Sequence, residues 1–394
     1  MRHSMLTLLL VLIAGTAVAT DMPREHVFSM SFKVTLLNGE LANPEVREKA
    51  FVWLRKLHIG KVYLESYRHN EYVPTERLIE HRDAFRKAGF EVCGLITYTM
   101  LNDPEKEGGE RSYVNCWADP KARARTKAEA ERAAGIFDTI LLDDFMFTNC
   151  TCPRCTTLKE RGKFADWGAY RRRLITNVLT KLIREPARAV NPKVEVIVKY
   201  PCWYKDWMEK GYDPAAQSAL VDGCWIGTET RNTNPDALQA CWINDFIQKL
   251  SKGRCRGAWY DPLDCTPQKF IEQARYTILG GARESIIHCW DYLKAENPGP
   301  VPFGESAKGG HECCAALEKE MDRLVELAER LSGAERGPYW MDANGVSTHY
   351  FYNHGMTTIV TMNTRTGAMD ALVLPARQEP AGNQSFKLPS LPGL

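Results

Sequence analysis

From Val27 onward, short apolar runs alternate with segments whose apolar residues recur at helical spacing. Val27 to Val34 reads as a strand. Asn43 and Pro44 then take the N-cap and first-turn positions of a helix that lines up Val46, Ala50, Trp53, Leu54 and Leu57 on one face. Lys61 to Glu65 predicts a second strand, Pro74 to Ala88 a helix stopped by Gly89, and Glu91 to Ile96 a third strand. A long loop leads to an Ala-rich helix from about Asp119 to Ala134, then a fourth strand, Thr139 to Phe145, and a long helix, Asp166 to Val190. Val194 to Tyr200, Gly223 to Glu229, Gly257 to Asp261 and Ser285 to Asp291 complete the strands. Helical patterns at Pro235 to Lys249, Thr266 to Leu279 and Cys313 to Leu331 fall between or after them.

Alternation of this kind forces parallel strands joined by right-handed crossovers. Eight such units over about 310 residues suit a closed (β/α)8 TIM barrel better than an open doubly wound sheet, and no Gly-rich dinucleotide fingerprint follows the first strand. After Gly333 the rhythm changes to short strands, Tyr339 to Trp340, Thr348 to Tyr352, Thr357 to Met362 and Ala371 to Leu374, with turn chemistry at Asn353 to Gly355 and Arg365 to Gly367. Upstream, Arg2 and His3 precede an apolar run from Leu6 to Ala14 that ends in the small pair Ala17 and Ala19, the pattern of a secretory signal too short to span a bilayer. The expected organisation is a signal peptide over 1–19, a barrel over 20–333, a small β-rich appendage over 334–375 and a flexible tail over 376–394. Export places the mature chain in the periplasm or outside the cell, and no later stretch is long and apolar enough for a membrane span.

The 394 residues carry 51 Lys+Arg against 49 Asp+Glu, so the chain lacks the basic excess that binding nucleic acid needs. The charges matter by position. In a TIM barrel the active site forms at the C-terminal ends of the strands. Those ends carry Glu65, the pair Asp143 and Asp144, Lys199, Glu229, Asp261, His288 and Asp291, with Trp203, Trp225, Trp259 and Trp290 among them. Aromatic faces around several acids suit a carbohydrate, whose C–H faces pack on indole while its hydroxyls need polar partners. Glycoside hydrolysis needs two carboxyl groups flanking one bond, and this set supplies them. Asp143 and Asp144 end an apolar run abruptly, and alternation along a strand sends one of the two into the barrel mouth without saying which.

The segment Phe137-Asp138-Thr139-Ile140-Leu141-Leu142-Asp143-Asp144-Phe145, followed by Cys150-Thr151-Cys152-Pro153-Arg154-Cys155, resembles the fourth-strand region of bacterial (β/α)8 glycosyl hydrolase-like families. Family 42 β-galactosidases share such a cysteine loop, and family 29 α-fucosidases place an aspartate nucleophile at the end of a similarly phrased fourth strand. That resemblance implies a nucleophile at Asp143, with Asp144 beside it. No Asn-Glu pair ends the fourth strand as in family 42. The acid/base is therefore expected at Glu229 on the sixth strand, by analogy with barrels that use a fourth-strand aspartate, with Asp261 as its competitor or as a turn cap before Pro262. Glu65, Lys199, Trp203, Trp225, Trp259, Asp261, His288 and Trp290 are the expected substrate-binding residues, His288 being alternatively a buried, satisfied histidine. The competing reading is a non-catalytic carbohydrate-binding barrel, whose acids would be dispersed or locked by Lys199 and Arg231. A metal-dependent hydrolase would need more histidines at the strand ends than His288 alone.

Thirteen cysteines are many for this length, and an odd number cannot all pair. Cys150, Cys152 and Cys155 fall within six residues, and Cys116 on the preceding long loop can join them. Four thiolates suit a closed structural zinc site with no open position for chemistry, as the family 42 resemblance also implies, while export makes disulfides an alternative and free thiols a third. Catalysis itself calls for no cofactor. Cys255 with Cys265, and the adjacent Cys313 and Cys314, are further candidates for pairing. The basic run Arg171 to Arg173 reads as a solvated helix face.

Overall fold

A computed structural model describes residues 21–99, 115–234, 236, 238–294, 308–376, 378 and 380. The expected signal peptide and most of the expected tail lie outside the described residues, as do Pro235 and much of the long loop before Cys116.

Eight parallel strands form the core: β1 (Val27–Phe32), β2 (Ile59–Arg68), β3 (Glu91–Ile96), β4 (Thr139–Leu142), β5 (Glu195–Tyr200), β6 (Gly223–Gly227), β7 (Cys255–Tyr260) and β8 (Glu284–Ile287). Each pairs with its neighbour in sequence, and β8 pairs back onto β1, from Val27 opposite Glu284 to Met30 opposite Ile287, which closes a (β/α)8 barrel. The sheet period places Thr139 and Leu141 of β4 inward, with Ile197 of β5 and Ile286 of β8; Tyr63, Leu95, Trp225 and Trp259 join them to fill the barrel. Gly257 makes room for this packing, because a Cβ there would meet the Trp225 ring at 2.6 Å.

Local chemistry explains where the helices begin. Asn43, Asp119, Asp166 and Thr266 each accept a backbone N–H of the following turn, from Glu45, Ala122, Ala169 and Lys269 respectively. A side-chain cap of this kind stabilises a helix by about 1 kcal/mol. The long helix is α-helical over Trp167–Asn177, widens to a π-helix over Val178–Arg184 and narrows again over Glu185–Val190. Pro186 accounts for the widening, having no N–H to give to the carbonyl four residues back.

Strands stop short of their expected ends: β4 at Leu142, β6 at Gly227, β8 at Ile287 and β1 at Phe32, with Val34 opening a short helix and Trp290–Lys294 likewise helix instead of strand. Their last predicted residues pass beyond the neighbouring strands and turn into loops at the mouth. Pro153–Arg161 adds a helix that the sequence rhythm did not show, opened by Pro153 in its first turn.

Beyond the barrel, β9 (Glu335–Met341), β10 (Val346–Asn353), β11 (Met356–Asn363) and β12 (Met369–Pro375) form an antiparallel meander. His354 and Gly355, at φ 48° and 77°, make the tight turn between β10 and β11. The sheet is fastened to the barrel helices. Arg336 pairs with the buried Asp245, the Tyr339 hydroxyl donates to Asp245 Oδ2 at 2.9 Å, and Tyr276 and Ser347 share a hydrogen bond of 2.9 Å. Among the described residues no helix is long and apolar enough to cross a membrane.

Candidate active site

At the C-terminal mouth of the barrel a cavity of about 150 Å³ is bounded by Arg68, Asp143, Asp144, Lys199, Glu229 and Asp261, with Phe145, Trp203, Trp259, His288 and Tyr292 as its aromatic wall. Lys199 is the hub. It is the inward residue of β5 after Ile197, and it is 2% exposed. Its Nζ lies 2.6 Å from Asp144 Oδ2, 2.7 Å from Glu229 Oε1 and 3.6 Å from Asp143 Oδ1, and 4.5 Å from the centre of the Trp259 ring. Burial works against the ammonium charge, but Asp144, Glu229 and Asp143 outweigh it and hold the pKa well above the ordinary value.

Both fourth-strand aspartates reach the mouth, contrary to the expectation that only one would. Asp143 follows the inward alternation of β4. Asp144 lies past the last paired residue, where alternation no longer applies, and turns back onto Lys199. Their environments differ. Asp143 is saturated: Oδ2 accepts from Arg68 Nη2 and Thr97 Oγ1, each at 3.2 Å, and Oδ1 accepts the Asp144 backbone N–H at 2.8 Å. Among the described residues Asp144 has only Lys199, on Oδ2. Burial foremost, helped by the charges of Asp143 and Glu229, raises the Asp144 carboxyl to about 7 in spite of Lys199.

Glu229 lies beyond the end of β6. A Cβ at Gly227 would stand 2.0 Å from Glu229 Oε2, so the glycine creates the space the carboxylate occupies. Glu229 Oε2 is buried and has no hydrogen-bond partner among the described residues.

The remaining expected site residues divide. Trp203, Trp259, Asp261 and His288 border the cavity. Asp261 pairs with Arg231 at 2.8 Å and also accepts the Leu263 N–H at 3.0 Å, so it shapes the turn as well as the wall. His288 stacks on Trp259 with centroids 4.3 Å apart and bonds Ser31 Oγ through Nδ1 at 2.8 Å; burial, with four nearby cations, pushes its pKa well below the usual value and keeps the ring neutral. Three expected binding residues do not border the cavity. Glu65 is fully buried beneath it, bonded to Arg68 Nε at 2.7 Å, Thr97 Oγ1 at 2.6 Å and the Val34 N–H at 3.1 Å, and serves to orient Arg68. Trp225 is part of the barrel filling, and Trp290 packs outside the barrel on Phe32 and Trp53. Tyr292, an aromatic neighbour of the strand-end acids in the sequence, also borders the cavity, and Arg68 is the cavity residue that sequence reasoning missed. Ending the second strand at Glu65 hid Arg68, although a cation between Tyr67 and His69 at a strand end was a signal.

The cysteine cluster lies beside this mouth. The ligand atoms of Cys116, Cys150, Cys152 and Cys155 are all within 4.8 Å of one another, and Cys116 Sγ is 3.7 Å from that of Cys152 and 3.6 Å from that of Cys155. A disulfide needs about 2.05 Å. Tetrahedral zinc with Zn–S of about 2.3 Å sets sulfurs roughly 3.8 Å apart, so the donor set and its spacing fit a closed metal site. Elsewhere the expected Cys255 and Cys265 pairing fails, because they stand at opposite ends of β7, Cys255 beside Cys224 on β6. Of the basic run only Arg173 is exposed as a solvated face: Arg171 is 4% exposed, and Arg172 Nη1 holds the Met208 carbonyl at 3.0 Å.

Comparison with known proteins agrees with this architecture. An uncharacterized protein of Saccharolobus solfataricus is 24% identical over 253 residues, which cover 59% of this chain and 42% of that protein. The chain thus spans less than half the length of the curated relative it matches. Among solved structures, an isomaltulose synthase variant from Erwinia rhapontici in complex with D-glucose superposes with a TM-score of 0.52 at 10% identity, over 86% of this chain and 90% of that one. A cyclic α-maltosyl-(1→6)-maltose hydrolase from Arthrobacter globiformis gives 0.43 at 10% identity, over 90% and 97%. The similarity to the isomaltulose synthase concerns the fold alone. A family model described as a probable glycosyl hydrolase catalytic domain matches residues 16–304, and with most of the barrel inside that match the chain belongs to this family of glycosyl hydrolase catalytic domains.

Proposed function

We propose that the protein hydrolyses a glycosidic bond in an oligo- or polysaccharide, with Asp144 as the proton donor and Glu229 as the nucleophile. The observation that carries this reading is the meeting of two carboxyl groups from different strands on one buried lysine, beside a cavity walled by Trp203 and Trp259. Lys199 takes Oδ2 of Asp144 and Oε1 of Glu229, and Glu229 Oε2, packed against Gly227, meets a substrate when the side chain turns out toward the cavity. Contacts of 2.6 and 2.7 Å to the same nitrogen keep the bound oxygens within the sum of those lengths. That fits the carboxyl spacing of roughly 5–5.5 Å in retaining enzymes better than the roughly 6.5–9.5 Å of inverting ones.

Asp144, protonated near neutral pH, gives its proton to the glycosidic oxygen as Glu229 adds to the anomeric carbon and the alcohol leaves. The Asp144 carboxylate then takes a proton from water, whose oxygen displaces Glu229 and releases the sugar. Asp143 keeps Asp144 proton-rich through its charge, and Arg68 and Thr97 hold Asp143 in place. This assignment differs from the sequence expectation: Asp143, the nucleophile the family resemblance implied, takes a positioning role, and the proton moves to Asp144 from Glu229, the acid/base expected by analogy with other barrels. The cysteine cluster would hold a structural zinc through Cys116, Cys150, Cys152 and Cys155, supplying rigidity rather than chemistry. Export through residues 1–19 to a periplasmic or extracellular glycan belongs to the same proposal.

One observation favours a second reading. Lys199 and Arg231 occupy the acids, as a non-catalytic carbohydrate-binding barrel would require. Incubating the purified protein with aryl glycosides and with plant, algal and host glycans, with calorimetry in parallel, separates the two. Sugar release supports hydrolysis. Binding without release on every ligand supports the second reading, and neither binding nor release contradicts both.

A further inference from the structure

Arg171 stands between the cysteine cluster and the loop that carries Asp144. Its Nη2 donates to the Asn149 carbonyl at 2.9 Å and its Nη1 to the Glu209 carbonyl at 3.2 Å. Asn149 immediately precedes Cys150, and Glu209 belongs to the segment that follows β5 and Lys199. The same two segments are tied by the Thr148 N–H to the Lys210 carbonyl at 3.0 Å and by the Tyr212 hydroxyl to the Asp144 carbonyl. Arg171 therefore clasps together the loops that bring Asp144 and Lys199 to their contact.

Its charge points to the cluster. A buried guanidinium is costly unless a negative group compensates it. Among the described residues the carboxylate in salt-bridge range is Glu209, at 3.8 Å and with its side chain 66% exposed, which compensates weakly. Tyr170, the preceding residue in the chain, packs directly with Cys116 and Cys155, and its hydroxyl bonds the Cys155 sulfur. Four thiolates around a divalent ion carry a net double negative charge. A buried cation and a hydroxyl donor at their edge are the outer groups such a centre needs.

We propose that Arg171 is a positioning residue that couples a metal ion held by Cys116, Cys150, Cys152 and Cys155 to the placement of the Asp144 loop. The ion fixes the loop at Cys150, and Arg171 transmits that constraint to the segment after Lys199. The proposal rests on the catalytic reading only in what the loop is for. Its test reads metal retention and backbone protection, so it can fail while hydrolysis stands, or stand while hydrolysis fails.

The full-length protein and its Arg171→Met and Arg171→Lys variants are loaded with zinc. Metal content, zinc transfer to a chromogenic chelator, and hydrogen exchange over residues 143–150 are then measured, in loaded and stripped samples. The expected result is zinc bound by the wild type, held about 10–100-fold less tightly in Arg171→Met. Amides of 143–150 should exchange roughly tenfold faster in that variant and in stripped wild type, with β6 and β7 unchanged. Arg171→Lys, which keeps the charge and loses the two-pronged clasp, should retain zinc and still loosen the loop. The proposal is overturned if the wild type takes up no zinc, or if stripping leaves the loop as protected as before. Equal zinc retention and loop protection in Arg171→Met also overturns it. Should Arg171→Met not fold, stripped wild type and Arg171→Lys decide, and unchanged protection in both counts against the coupling.

Discussion

Asp143 and Asp144 are neighbours of the same chemical type, and their surroundings give them different work. Asp143 has both oxygens engaged by Arg68, Thr97 and the backbone, whereas among the described residues Asp144 has Lys199 on Oδ2. With the Asp144 carboxyl raised to about 7, hydrolysis should decline as pH rises through that value, because the proton donor is then lost. A pH–rate profile checks this, and the alkaline limb should shift in Asp143→Asn, which removes a charge that raises Asp144. Stability follows the same sign. The folded state holds a proton that the unfolded chain releases near pH 4, so the contribution of Asp144 is full below about pH 4 and is lost as pH rises through about 7. Chemical denaturation at several pH values should show that slope flattened in Asp144→Asn. Little of this was legible in the sequence. Two acids closing an apolar run identified the place, but the choice between them depends on Arg68, Thr97 and Lys199, which come from three other strands.

At the level of elements, the strand and helix rhythm was readable because parallel strands buried on both faces must be apolar and helices announce themselves by caps. Asn43 was read as such, and Asp119, Asp166 and Thr266, which open the other expected helices, prove to cap them. The strand ends were harder. Gly223 to Glu229 looks like one strand, yet pairing stops at Gly227 and Glu229 is freed to fold over it. Gly227 is thus the element's contribution to the site. Gly227→Ala should leave the fold intact, as judged by circular dichroism, and lower turnover by about 100-fold, the scale of a misplaced reacting group. Wild-type turnover in that variant would mean that the position of Glu229 is immaterial. Trp225 and Trp290 show the opposite failure, since an aromatic residue near a strand end can serve the core, as Trp225 does by lying over Gly257.

Across the whole molecule, the closed barrel gathers acids that are far apart in sequence, and the appended sheet is built onto its outer helices through buried polar contacts. The appendage was recognisable from its turns. Its anchorage was not, because Arg336 and Asp245 are 91 residues apart and neither stands in a motif. Arg336→Met should leave Asp245 buried without its cation and cost about 3–5 kcal/mol in a denaturation measurement, while Trp259 and Lys199 stay in place. The near-neutral total charge likewise conceals the local arrangement, in which cations and acids alternate around one mouth.

The central claim is that Asp144 and Glu229 together break the bond. Its most direct test is the hydrolysis rate of Asp144→Asn and Glu229→Gln beside wild type, on whichever glycoside the wild type cleaves, with folding of each variant verified. Asp144→Asn should reduce turnover by about 100- to 10,000-fold, the range for removal of a general acid, and Glu229→Gln, which removes the nucleophile, by at least as much. Either variant working at the wild-type rate would contradict the account.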